Sequence, residues 1–120
     1  MLGSSRTIEL STETFASVLG HPHVLVSWNS RSSIAWRTFA TVYERAAQRH
    51  QDVVFGVVDI DREPELTSAC IIRSIPTLTA FRRCRLVLVR TGFEIDESID
   101  AVVRSLKQCD VPSRAQRRTR

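Results

Sequence analysis

Three cysteines, three histidines and a serine-rich turn are the residues of this 120-residue chain with the means for covalent or proton-transfer chemistry. Cys70, Cys84 and Cys109 are odd in number and irregularly spaced, which suits neither a disulfide framework nor a zinc site. As reduced thiols they behave as small hydrophobes. Two of them have cations close by in sequence. Cys70 falls at the end of an expected helix near Arg73, and Cys84 lies between Arg83 and Arg85. A cation beside a thiol lowers its pKa, so Cys70 or Cys84 could serve an atypical thiol–disulfide oxidoreductase or a redox sensor. His21, His23 and His50 fall in loops and at a helix end, where they read as solvated, and no Ser-His-Asp order can be argued from them. Ser32 or Ser33 precedes a long amphipathic run and reads as its N-cap, worth about 1 kcal/mol. No metal site and no cofactor is expected.

The elements that must position these groups follow from hydrophobic periodicity. Thr7–Leu10 reads as a short strand, and Ser11 or Thr12 can start a short helix that carries Phe15, Val18 and Leu19 inward and stops at Gly20. Val24–Trp28 is a buried strand. From about Ser33 to His50, Trp36, Phe39, Ala40, Tyr43, Ala46 and Ala47 recur at helical spacing, with Arg37, Thr41, Glu44, Arg45 and Gln48 on the opposite face. Val53–Asp59 is a continuous apolar run, as for a strand covered on both sides. A short helix over Glu63–Ala69 has Pro64 in its first turn. Thr77–Phe81 and Leu86–Arg90 form a hairpin whose turn lacks the usual Asn-Gly. Gly92 breaks the second run, and Asp96–Lys107 returns to a helical pattern through Ile99, Val102, Val103 and Leu106. Alternating strands and helices followed by a hairpin give an α/β fold with a mixed sheet and helices on both faces.

The length suits one domain, residues 1–109, followed by a basic tail, residues 110–120, that reads as disordered. Net charge is +4, and of the 17 basic residues only Lys107 is not arginine. Four arginines sit in the tail, at 114, 117, 118 and 120, which leaves the remainder near neutrality. That distribution argues against a nucleic-acid partner, which needs a basic face on the folded domain. Contact with an acidic surface stays open, because arginine grips carboxylates in a fixed fork. The apolar runs are strand-sized, so no membrane span is expected. The N-terminus lacks a signal-peptide pattern, so a cytoplasmic location is expected, as a monomer or weak homodimer.

Taken together, Val24-Leu25-Val26 leading into the long helix, Val58-Asp59-Ile60-Asp61, Ile71-Ile72-Arg73-Ser74-Ile75-Pro76-Thr77 and Thr91-Gly92 resemble the thioredoxin family over about residues 7–108. The resemblance implies a thioredoxin-like fold, a central mixed five-stranded sheet flanked by about four helices. It also implies a cis-proline loop at Pro76. The family's chemistry needs Cys-x-x-Cys at the start of the long helix, where backbone N–H groups and the helix dipole stabilise a thiolate. Here those four positions are Ser33, Ile34, Ala35 and Trp36. Serine forms no disulfide, and Trp36 cannot resolve one. By the same resemblance, Ser27 stands where the family buries an aspartate and Val57 where it often has a lysine. Asn29 and Ser32 replace flanking tryptophans. Trp36 is expected to fill part of the space left at Asn29.

The function this implies is a redox-inactive binding or chaperone module. It would hold a protein or peptide in the former substrate groove, formed by Trp36, Ile75, Pro76, Thr77 and Gly92 beside Ser33, Ile34 and Ala35. Arg31 and Arg73 would stand near the groove's rim. In the family, the residue before the proline pairs its backbone with an extended peptide, and that residue is Ile75.

Overall fold

The strongest local organiser is a pair of mainly apolar strands that are buried side by side in the middle of a sheet. The computed structural model describes residues 5–91 and 96–108. In chain order the elements are β1 (Thr7–Glu9), α1 (Thr12–Val18), β2 (Val24–Asn29), α2 (Ile34–Arg49), β3 (Val54–Asp59), α3 (Pro64–Ala69), β4 (Thr77–Arg82), β5 (Arg85–Thr91) and α4 (Asp96–Gln108). The five strands form one sheet in the order β1-β3-β2-β4-β5. β1, β3 and β2 run parallel, β4 is antiparallel to β2, and β5 is antiparallel to β4. The element order and the mixed sheet match the sequence reading, with ends shifted by a residue or two. The tail, Gly92 and Cys109 lie outside the described residues.

Every residue of β2 is buried, since β3 and β4 flank it and helices cover both faces. Alternation then assigns the faces. Leu25 joins Phe39, Tyr43, Ala46 and Ala47 of α2 and Ile99, Val102, Val103 and Leu106 of α4 in one core. Val24, Val26 and Trp28 join Phe15, Val58 and Phe81 in the other, with Leu66 of α3 packed against them. Polar tips inside these cores have partners, as burial requires. The Trp28 Nε1–H donates to Thr79 Oγ1 at 2.9 Å. The Tyr43 hydroxyl is aimed at the carbonyls of Gly56 (2.8 Å) and Leu25 (3.2 Å), one on each of two neighbouring strands. Burial pushes the Tyr43 phenol well above its ordinary range, so it stays a donor.

Three expectations need correction. Glu44 does not simply face water. Its carboxylate accepts hydrogen bonds from Ser5 Oγ (2.8 Å), Arg6 N–H (2.7 Å), Thr7 Oγ1 (3.0 Å) and Gln48 Nε2 (2.8 Å), which ties β1 to α2. His50 is half-buried, lies against Phe55 with the rings 12° from parallel, and meets Asp100 of α4 at 2.7 Å. His23 is also half-buried, beside Arg82 at 2.8 Å, leaving His21 as the exposed one. These two histidines join elements together, a role that periodicity cannot reveal for a residue at the end of a run.

The β4–β5 turn shows why Asn-Gly could be absent. Arg83 and Cys84 both adopt left-handed backbone, at φ 48° and 73°, the conformation a two-residue hairpin turn demands. The Cys84 N–H is anchored to the Leu19 carbonyl just after α1, at 2.9 Å.

Candidate functional site

The start of α2 and the segment before β4 lie at one end of the sheet. β2 pairs with β4 so that Trp28 stands opposite Thr77. The chain leaves β2 at Asn29 towards α2 and enters β4 from Ile75-Pro76, so the two connections emerge side by side. The Ile75–Pro76 peptide is cis. Thr77 is buried, and its hydroxyl donates to the Ser74 carbonyl at 2.7 Å, closing the loop on itself.

Ser33 occupies the N-cap position of α2 in extended conformation, φ −80° and ψ 139°, but its hydroxyl makes no capping bond. The stabilisation of about 1 kcal/mol expected from a serine cap is therefore absent. The loop is held instead by backbone bonds from Ser33 N–H to Ser30 O (3.0 Å) and from Trp36 N–H to Ser33 O (3.2 Å). Ser32 and Ser30 pair their hydroxyls at 2.9 Å, and Ser30 donates to Asp61 beyond β3. These serines lash two loops together. Ser33 itself has no hydrogen-bonded acid or base among the described residues, and activating its hydroxyl as a nucleophile would need one.

Beneath the loop the sheet buries one carboxylate, Asp59 opposite Asn29, and is uncharged at the neighbouring pair. Ser27 and Val57 are directly paired between β2 and β3, both buried. The Asn29 amide donates to the Ser27 hydroxyl, so each replacement satisfies the other. Trp36 packs against the core between α2 and α4. It also lines a shallow cavity of about 360 Å³ with Thr7, Ala40, Thr41, Tyr43, Glu44 and Arg45, on the side of α2 that faces β1.

Apolar groups are left in the open at the start of α2 and along the connection from α3 to β4. Ile34 is 77% exposed and Ile75 is 38% exposed. Ile71, 68% exposed, follows α3 in left-handed backbone at φ 56°. The Ile72 N–H reaches Thr67 O (3.1 Å) and the Ile71 N–H reaches Ser68 O (3.0 Å), the bond pair of a Schellman motif. Ile71 thus fills the C′ position that usually takes glycine, where a β-branched side chain is a genuine outlier. No glycine marks this stop, so nothing in the sequence singled Ile71 out.

Cys84 lies at the other end of the sheet from the start of α2. Cys70 caps the end of α3, half-buried against the core on that face, and burial pushes its thiol up. That is opposite to the lowering expected from Arg73, because desolvation of the thiolate dominates. Cys84 is exposed in the hairpin turn. Among the described residues no cluster of His, Cys, Asp or Glu could hold a metal ion, and no helix is long and apolar enough to cross a membrane.

The five-stranded order, the cis-proline loop and the long helix starting beside it are the frame expected of a thioredoxin, and a thioredoxin family model matches residues 6–105. The chain belongs to the thioredoxin family. It is 33% identical over 106 residues to "Putative thioredoxin 2" of Streptomyces coelicolor, covering 88% of this chain and 79% of that one. It is 32% identical over 104 residues to the thioredoxin of Alicyclobacillus acidocaldarius, covering 85% and 99%. In structure it is similar to a point-mutant thioredoxin from Halobacterium salinarum, with a TM-score of 0.79 at 21% identity over 92% of this chain and 100% of that one. Within the thioredoxin frame, the helix start of this chain carries a serine and a tryptophan in place of thiols.

Proposed function

We propose that this thioredoxin-family chain is redox-inactive and holds an extended protein segment at the former substrate groove, as a binding or chaperone module in the cytoplasm. The observation that carries the reading is the exposure of Ile34 and Ile75 on two adjoining connections, at a helix start that has neither thiol. Exposed apolar groups gathered at one end of a small domain mark interaction sites more often than accident. The backbone of Ile75 would supply the pairing position, beside Pro76, Thr77 and Gly92, and backbone pairing needs no catalysis. Arg73 would stand near the rim, where it would favour carboxylates flanking an apolar stretch. Trp36, whose open side faces β1, would support α2 from behind the groove.

Panning a random peptide library against the full chain tests this. The expected result is enrichment of apolar sequences whose binding is lost in Ile34→Asp or Ile75→Asp and kept in the variant with all three cysteines changed to serine. Trp36→Glu is a poorer probe, since it also disturbs core packing. Normal binding by folded Ile34→Asp and Ile75→Asp variants would sink the groove reading.

A second reading rests on Cys84, an exposed thiol flanked by Arg83 and Arg85 in a turn. It makes the chain an atypical thiol oxidoreductase or redox sensor. Alkylation of Cys84 at the rate of an ordinary free thiol would remove its support, and Cys70, raised by burial, offers it none.

A further inference from the structure

The outer edge of β5 is the second place where the molecule is left unfinished. Among the described residues β5 pairs only with β4 and is the last strand on its side of the sheet. Its alternate N–H and C=O groups therefore point away from the sheet, a template for another strand. Leu86 and Val89 stand opposite Phe81 and Thr79 and so share their face, yet they are 55% and 51% exposed. Arg85 and Arg90 stand opposite Arg82 and Leu78, on the other face. Arg83 begins the same hairpin. Within the described residues Arg83, Arg85 and Arg90 form no ion pair.

We infer that β5 is a docking edge for an acidic extended segment of a partner protein, added to the sheet as a sixth strand. The inference is independent of the groove proposed above. The edge specifies its occupant by charge and spacing. Side chains on one face of the incoming strand must be apolar, to cover Leu86 and Val89. On the other face they must be carboxylates about 13 Å apart, the span from Arg85 to Arg90 at about 3.3 Å per residue once the bulge between them is taken up. Arginine suits carboxylates because it binds them through two parallel N–H groups.

A second copy of this chain fits poorly. Antiparallel β5–β5 pairing that sets Leu86 against Val89 also sets Arg85 against Arg90, and like charges directly opposite on a sheet repel. Arginines at an edge also discourage aggregation. That role alone does not account for two half-exposed apolar side chains between them.

The probe is a synthetic ten-residue peptide of alternating valine and glutamate, titrated into isotopically labelled full chain. Amide shifts locate its site and fluorescence anisotropy gives its affinity. The expected result is shifts centred on residues 85–91 and binding at least about tenfold tighter than for the lysine counterpart. Affinity should fall at least about tenfold between about 50 and about 300 mM salt, as exposed charges are screened. Binding should be lost in Arg85→Glu/Arg90→Glu and retained in Ile75→Asp, which separates this edge from the groove. N-methylating alternate peptide amides should abolish binding to the unaltered protein, which keeps the test intact if the charge-reversed variant misfolds. Equal binding of the lysine peptide, tolerance of N-methylation or shifts centred elsewhere would overturn the proposal. So would a single-stranded oligonucleotide that displaces the peptide and binds more tightly, or a β5-mediated dimer that the peptide fails to dissociate.

Discussion

Ile71 offers a test in which strain and function pull in opposite directions. An L-residue in left-handed backbone costs about 1–2 kcal/mol, and glycine escapes that cost. Replacing Ile71 by glycine also frees the unfolded chain, which takes back about 0.5–1 kcal/mol. With the side chain 68% exposed, only about a third of the 1.5–3 kcal/mol of full burial is at stake, on the order of 0.5–1 kcal/mol. Ile71→Ala loses that cover and keeps the strain. Ile71→Gly loses the cover and sheds the strain. Glycine should therefore be about 0.5–1 kcal/mol more stable than alanine here, reversing the order found inside a helix, with a gap of about 3 °C in Tm. Urea unfolding of both variants under reducing conditions, checked by thermal melts, measures the gap. If the glycine variant is the less stable of the two, the Schellman account of residues 67–72 is wrong. The functional arm uses the same proteins. Both should bind selected apolar peptides several-fold more weakly than wild type, because both lack the exposed side chain. Undiminished binding would show that Ile71 lies outside the docking surface.

Thr79→Val removes the acceptor of the Trp28 indole and leaves a buried N–H unpaired, at a cost of about 1–3 kcal/mol, read as a lower urea midpoint with an unchanged slope. Glu44→Ala releases the donors at Ser5, Arg6 and Thr7, so amides of Thr7–Glu9 should exchange at least about tenfold faster while those of β2 stay protected, measured by hydrogen exchange. At Asp100, partial burial raises the carboxyl, but bonds from His50 and Arg49 together with their charges outweigh it and hold the pKa below its ordinary value. A depressed carboxyl contributes stability above its unfolded pKa and loses it as pH falls through the folded one. The stability gap between wild type and Asp100→Asn should thus be open at pH 6 and close on acidification below about pH 4, in parallel urea titrations. A gap that persists at low pH would mean that the contact is not electrostatic.

Most of the frame was legible because it is written in burial. β2 and β3 are mostly apolar since both faces are covered, and α2 repeats its apolar stripe because a single sheet lies beneath it. The absence of thiols at Ser33 and Trp36 is equally plain in the chain itself. Less legible were contacts made by polar residues at the ends of elements. Glu44, His23 and His50 look like solvent-facing groups, and only their neighbours in space give them partners. The missing Ser33 cap is of the same kind, because Ser30 and Asp61 compete for the loop through a bond between residues 31 positions apart. Left-handed residues without glycine, at Ile71, Arg83 and Cys84, are invisible to a reading that waits for glycine to announce them.

The uncharged pair at the middle of the sheet reaches beyond the missing cysteines. Ser27 and Val57 sit side by side and neither can take up or release a proton near neutral pH, and the buried Tyr43 phenol is pushed further from doing so. Putting cysteines back at 33 and 36 would thus install a dithiol above a Ser27–Val57 pair unable to shuttle protons to it. Such a protein should form its disulfide yet turn over slowly, storing oxidation better than passing it on. Used that way, the domain becomes a frame in which the contributions of sulfur and of proton relay can be added back one at a time.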